Sequence, residues 1–197
     1  MTWPKSAYLP DGVRYREEVW TGIEYQVAGH MLWEGLAEPA LAMVRAVDER
    51  YDPLEHNPYN EVECGDHYAR AMASWGVYAA LCGFECHGPK AHIGFAPRLN
   101  AKDFRAAFTA AEGWGTFSQM RDGPQQRAEI TLHWGKLRLR TLALAIPPGN
   151  RAPRCQVRLG KRELAVDAKT DDARLTIRLN EEVTLSPGSL LTVAIES

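Results

Sequence analysis

Leu137-Arg138-Leu139-Arg140-Thr141-Leu142-Ala143-Leu144-Ala145-Ile146 places an apolar side chain at every second position, with one slip between Leu139 and Leu142. Side chains alternate faces along an extended chain, so the run reads as strand with one dry and one wet face. The slip marks a bulge or a break between strands. The same period recurs in Val157/Leu159, Leu175/Ile177/Leu179 and Leu191/Val193/Ile195, and Pro147-Pro148-Gly149-Asn150, Gly160 and Ser186-Pro187-Gly188 punctuate the runs. Several short antiparallel strands are expected, with Arg138, Arg140, Arg158, Arg174 and Arg178 on the wet face.

Toward the N-terminus the texture changes near Gly88-Pro89, and the earlier residues read as helices. Thr21-x-x-Glu24 has the form of a capping box, and Trp20, Ile23, Val27 and Met31 follow helical spacing, which predicts a helix over about 21–37. Pro39 suits the first position of a second helix, in which Ala40, Met43, Val44 and Val47 form one face before Arg50 and Asp52-Pro53 end it. The short connection predicts an antiparallel pair. Two prolines make residues 52–60 a loop. A third helix is expected from near Asp66 to Cys82, ended by Gly83, with Tyr68, Met72, Trp75 and Ala79 as its large stripe. Its other faces carry Ala69, Ala71, Ala73, Gly76 and Ala80, which suits a helix inside a layered helical assembly.

The chain has 197 residues, 45% hydrophobic and 24% charged, which is ordinary globular composition and excludes disorder, collagen and coiled coil. Its apolar runs fall short of the roughly 18 residues needed to span a bilayer, and the N-terminus has no export-signal pattern, so a cytoplasmic protein without a membrane span is expected. Residues 1–88 hold 6 Lys/Arg against 14 Asp/Glu, and residues 89–197 hold 17 against 11. These halves of opposite sign read as two packed layers. No basic run reaches the length of a nucleic-acid tail, so no nucleic-acid partner is expected. Cys64, Cys82, Cys86 and Cys155 are too few and too uneven for a disulfide framework. Cys82, Cys86, His87 and nearby His92 have zinc-ligand chemistry without the paired spacing of a zinc site, and no metal is expected. Phosphate loops and nucleophile elbows are absent from the sequence, and no cofactor is expected.

The densest polar cluster is Asn60-Glu61-Val62-Glu63-Cys64-Gly65-Asp66-His67-Tyr68-Ala69-Arg70. Its three carboxylates repel one another, so burial demands compensation from Arg70, His67 or a ligand. If residues 59–63 are extended, Glu61 and Glu63 point to one side, while Asp66 and Arg70 lie one helical turn apart. The cluster is either an acidic first turn favoured by the helix dipole or a polar pocket in which a Glu and an Arg bind sugar hydroxyls. In Ala111-Glu112-Gly113-Trp114-Gly115, Trp114 is either a stacking platform for a sugar ring or a core tryptophan at a backbone bend.

Three runs together resemble the C-terminal end of family 116 glycoside hydrolases, which include bacterial β-glucosidases and non-lysosomal glucosylceramidases. They are residues 19–28 (Val19 to Ala28), residues 60–75 (Asn60 to Trp75) and residues 111–115 (Ala111 to Gly115). The likeness covers about residues 10–120. It implies that residues 1–120 are the C-terminal portion of an (α/α)6 catalytic domain and residues 121–197 a strand-rich tail. The fold class expected is therefore a mainly α N-terminal part followed by a β-rich antiparallel tail, α+β overall. The resemblance also implies cleavage of β-glucosides with retention, with Glu61 and Arg70 contacting glucose and Glu63, Asp66, His67 and Trp114 as supporting residues. The family's nucleophile and acid/base lie upstream of the matched region, so the chain starts in mid-fold.

Three readings follow from this. The chain is a fragment of a β-glucosidase or glucosylceramidase, a subunit of a split enzyme completed by a separate N-terminal portion, or a non-catalytic carbohydrate-binding or protein-interaction module. The split-enzyme reading predicts exposed apolar surface around Trp20, Trp33 and Trp75.

Overall fold

The computed structural model describes residues 19–55, 57, 71–147 and 153–196. The chain divides into two compact units, Met1–Tyr78 and Ala79–Ser197.

In the first unit, helices α1 (Thr21–Trp33) and α2 (Ala37–Arg50) form the expected hairpin. The capping box does not form. Thr21 lies inside the helix, and its buried hydroxyl hydrogen-bonds the Tyr51 hydroxyl at 3.0 Å, while Arg50 donates to both oxygens of Glu24. Tertiary partners at the far end of α2 have taken the two side chains that a local cap would use. Helix α1 also ends earlier than expected, because Gly35 adopts φ +81° and its N–H and that of Leu36 bond the carbonyls of Leu32 and Met31. A 3-10 turn, Ala71–Ala73, leads into α3 (Ser74–Cys82). The backbones of α1 and α3 approach closely: a Cβ on Gly29 would stand 3.6 Å from the Gly76 carbonyl carbon. Yet α3 is not enclosed, since Met72 in the preceding turn and Trp75 are 89% and 52% exposed.

The second unit is a two-sheet sandwich. Gly83 closes α3 in the predicted way, with φ +53° and N–H bonds from Gly83 and Phe84 to Ala80 and Ala79. Strands β1 (Glu85–His87), β2 (His92–Phe95), β3 (Asp103–Ala110), β4 (Gly113–Asp122), β5 (Gln125–Gly135) and β6 (Leu137–Ala145) follow. After them come β7 (Arg154–Leu159), β8 (Arg162–Leu164), β9 (Val166–Asp171), β10 (Arg174–Leu185) and β11 (Leu190–Glu196). Among the described residues they form a five-stranded sheet in the order β1-β2-β6-β10-β9 and a six-stranded sheet in the order β3-β4-β5-β11-β7-β8. Pairing is antiparallel except between β2 and β6.

This overturns the expected fold class. The described residues are mostly β, with 50% of them in strands and three α-helices, and strand begins at Glu85, close to the change of texture near Gly88-Pro89 and well before the boundary at 120 that the resemblance implies. Residues 103–122, expected on the helical side, are two long strands instead. Their inward residues Ala106, Phe108, Phe117 and Gln119 are buried by the opposite sheet.

The later periodicity is obeyed. Leu137, Leu139, Leu142, Leu144, Ile146, Val157, Leu175, Ile177, Leu179, Leu191, Val193 and Ile195 are all buried in one core. The slip after Leu139 is a register shift against β10, where the pairing jumps from Arg178 to Val183. Phe95 of one sheet stacks on Phe117 of the other, with ring centroids 3.9 Å apart and planes 2° from parallel. At one end a buried polar network replaces apolar contact. Gln126 donates to Gln119 and to the Ala145 carbonyl, Arg121 donates to Gln126 and Ala145, and Gln119 donates to the Ala101 carbonyl. Each partner satisfies another's buried polar atoms, so the network ties β4 and β5 to the end of β6.

The expected wet-face arginines do lie outward. Arg138 and Arg158 face Glu182 and Glu163 at 3.6 and 3.8 Å, and Arg140 donates to the Asn180 carbonyl. Arg174 grips Glu85 with both guanidinium nitrogens at 2.6 and 2.7 Å, across the outer surface of the five-stranded sheet. Gly94 and Ala143 on the intervening strands leave that surface low enough for the two to meet. The hydrogen bonds from Arg174 hold the Glu85 carboxyl below its usual value of 4.5, with a smaller contribution from His92. No helix among the described residues is long and apolar enough to cross a membrane.

Two measurements check this account. Phe117→Ala is expected to lower stability by about 3–5 kcal/mol in denaturant unfolding, because it empties fully buried volume at the junction of the sheets. The folded Glu85 carboxyl has a depressed pKa, so its contribution is present above the unfolded value and is lost as pH falls through the folded one. Unfolding free energy is therefore expected to fall as pH drops below about 4.5, and Arg174→Ala should flatten that part of the profile while costing on the order of 1 kcal/mol at pH 7.

Candidate functional site

Glu61, Glu63, Asp66, His67 and Arg70 lie outside the described residues. Trp114 is described, and it is not a core residue. It stands on the outer face of β4, 46% exposed, while its neighbours Gly113 and Gly115 face inward.

Trp114 belongs to an aromatic island that spans two strands. Directly opposite it on β5 is Trp134, which is 65% exposed. The pairing then shifts from Trp114 with Trp134 to Gly115 with Leu132, which leaves His133 as the extra residue of a β-bulge. The bulge turns both His133 and Trp134 outward. The imidazole packs against the Trp114 ring, centroids 5.0 Å apart, and its Nε2 hydrogen-bonds the Thr116 hydroxyl at 2.8 Å. Thr109 on β3 lies opposite Trp114, and Thr131 lies opposite Thr116, so hydroxyl-bearing residues surround the rings.

The glycines around the tryptophans are required by close approach. A Cβ on Gly113 would come within 2.5 Å of the Trp134 carbonyl oxygen, and one on Gly115 would strike the Thr131 carbonyl and the Phe108 ring. Gly135 has φ +76° and sits against the Glu112 carbonyl. Backbone therefore presses on backbone just where the two indoles emerge, which holds them on a stiff frame. Charges at the margin are paired: Lys136 with Glu112 at 2.9 Å, and Arg127 with Glu129 at 2.7 Å. Indole faces offer apolar contact and a quadrupole, while the threonine hydroxyls and the imidazole offer hydrogen bonds. Such a surface can bind a ligand that has both apolar faces and hydroxyls.

No family model and no curated protein matches the sequence. Among solved structures, an α-L-rhamnosidase from Dictyoglumus thermophilum is similar over 70% of this chain and 16% of its own, at 12% identity and a TM-score of 0.39. An α-1,4-glucan lyase from Gracilariopsis lemaneiformis is similar over 52% of this chain and 13% of its own, at 14% identity and a TM-score of 0.28. The structural neighbours are thus glycoside hydrolases at low identity and partial coverage. The chain spans less than one-fifth of either length, and likeness at this level assigns no activity.

The helical unit has a second feature. A hollow of about 780 Å³ opens between α1 and the start of α3, bordered by Ile23, Gln26, His30, Trp33, Met72 and Gly76. Trp20, Ile23, Val27, Trp33 and Trp75 are all more than one-third exposed. Large apolar side chains of this kind are what a helix normally buries.

Cys82 is buried and Cys86 exposed, and Cys86 and Cys155 are free thiols. Among the described residues no group of three or more His, Cys, Asp or Glu side chains is arranged to hold a metal ion. His87 ends β1 and caps a 3-10 turn, accepting from the Lys90 N–H.

The sequence singles out Trp114, as either a platform or a core residue, and passes over Trp134 and His133, which the fold places beside it. The available signal was Trp134-Gly135, which repeats the Trp-Gly pairing of Trp114-Gly115 about twenty residues later. Gly115→Ala is expected to lower stability by about 1–3 kcal/mol through overpacking against Thr131 and Phe108, and to weaken the near-UV circular dichroism of the indoles. An unchanged spectrum and midpoint would show that the frame is not stiff.

Proposed function

We propose that the chain is the C-terminal part of a retaining β-glucosidase or glucosylceramidase, a fragment or subunit that hydrolyses β-glucosidic bonds when completed by an upstream part. The observation that carries this reading is the run from Asn60 to Trp75, which resembles the C-terminal end of the family 116 glycoside hydrolases and includes both sugar-contacting residues that the resemblance implies. The uncovered apolar face of the helices supports it, because a helical segment that closes a larger catalytic domain needs such a face for the part it meets.

In this reading Glu61 and Arg70 grip glucose hydroxyls through charge-assisted hydrogen bonds and so fix the ring against the reacting groups. Glu63, Asp66 and His67 orient them. Retention requires two carboxyl groups about 5–5.5 Å apart, one as nucleophile and one as acid/base, and the upstream part supplies both. The substrate is a β-glucoside or a glucosylceramide-like lipid. The site of action is the cytoplasm, where free thiols persist.

The test is release of nitrophenol from an aryl β-glucoside. The purified chain alone is expected to be inactive, and mixing it with the upstream portion of a family 116 enzyme is expected to give activity. Glu61→Ala or Arg70→Ala should lower kcat/KM of the mixture on the order of 100-fold with little change in the chain's own unfolding midpoint. Hydrolysis by the chain alone would overturn the assignment of the catalytic pair to another part.

A further inference from the structure

We propose that the outer face of the six-stranded sheet is a glycan-binding platform, built by Trp114 and Trp134 with His133 between them, and that its ligand is a neutral β-linked glucan chain. The argument rests on the described side chains and does not depend on the hydrolase reading.

Two exposed tryptophans stand directly opposite each other on neighbouring strands, so both indoles emerge on one surface. Exposed tryptophan is costly unless something covers it, and here the fold has spent three glycines and a bulge to hold both rings outward. The occupant follows from area and chemistry. Two half-exposed indoles present on the order of 250 Å², far below the roughly 800 Å² per partner of a stable protein interface. The surroundings mix hydroxyls with apolar groups: Thr109, Thr116 and Thr131 border the rings, the imidazole is oriented by Thr116, and Leu190 opposite Thr131 and Met120 farther along β4 add exposed apolar surface.

A β-linked glucose unit carries its hydroxyls equatorially and exposes C–H groups on both ring faces. The C–H face stacks on an indole, and the equatorial hydroxyls reach the threonines and the histidine at the edge. Two platforms extend beyond one ring, which selects a chain over a single sugar. Lys136 pairs with Glu112 and Arg127 with Glu129, and Arg105 stands apart on β3 opposite Ser118, so these cations form no cluster for an anionic polymer. That chemistry favours a neutral glycan over nucleic acid.

The experiment titrates the full chain with cellohexaose, with glucose as control, followed by tryptophan fluorescence and isothermal calorimetry. Saturable binding of cellohexaose is expected, at least tenfold tighter than that of glucose. Trp114→Ala and Trp134→Ala should each weaken it at least tenfold, while Trp134→Phe retains most of it. The variants should unfold at the wild-type midpoint, since both rings lie on the surface. Arg138→Ala, on the other sheet, should leave cellohexaose binding unchanged. Binding kept in the tryptophan variants would overturn the platform, as would no binding at all. Self-association of the wild-type chain that Trp114→Ala and Trp134→Ala abolish, without glucan binding, would make this face an interface between copies and overturn the glycan assignment. Failure of the aryl-glucoside test leaves each of these outcomes unaffected.

Discussion

The stack of Phe95 on Phe117 is where the two sheets become one body, and the remaining packing of the strand-rich unit is arranged around it. Phe95 comes from a four-residue strand that pairs parallel with β6, and Phe117 comes from the middle of β4. Rings this close and this parallel leave no room for water between the sheets. Phe84 and Phe108 pack at the border of the same cluster, so one aromatic nucleus joins the end of α3, the first strands and the long hairpin. Burial of such rings outweighs the entropy of ordering strands whose partners are far apart in sequence.

The rest of the unit shows how a sheet sandwich treats its two surfaces differently. Inside, the polar network of Gln119, Gln126 and Arg121 is accepted because each donor finds a carbonyl or amide oxygen at the end of β6. Outside, the five-stranded sheet is crossed by the pair Glu85 and Arg174, and the six-stranded sheet carries bare indoles. The contrast between the two outer faces is informative. One is finished with paired charge, which needs no partner. The other leaves large aromatic surface in water on a closely packed glycine frame, and this is the surface proposed to bind a glycan.

The helical unit presents the opposite economy. Thr21 and Glu24, which could have capped α1, are drawn into contacts with Tyr51 and Arg50 that fasten the helix pair at its open end. The large apolar residues of α1 and α3 nevertheless remain accessible. Small residues at Gly29 and Gly76 let two helices come together closely, but the tryptophans and Met72 still face outward. Part of that apolar surface is exposed, and the proposed upstream part of a larger enzyme is what would cover it.

By itself the sequence determined the positions at which strands alternate after residue 137, the bulge after Leu139, the hairpin of α1 and α2 and the glycine that ends α3. These are local matters of period and of φ, and a strand or a cap carries them in its own residues. Tertiary structure alone decided that Asp103–Ala110 and Gly113–Asp122 are strands, because Ala106, Gly115 and Gln119 are inward residues whose burial depends on the opposite sheet rather than on their own hydrophobicity. It also decided the side on which Trp114 stands. A tryptophan between glycines reads equally as core or surface until the strand register brings Trp134 across from it, and that register is set by a bulge and by backbone contacts about twenty residues apart in the chain.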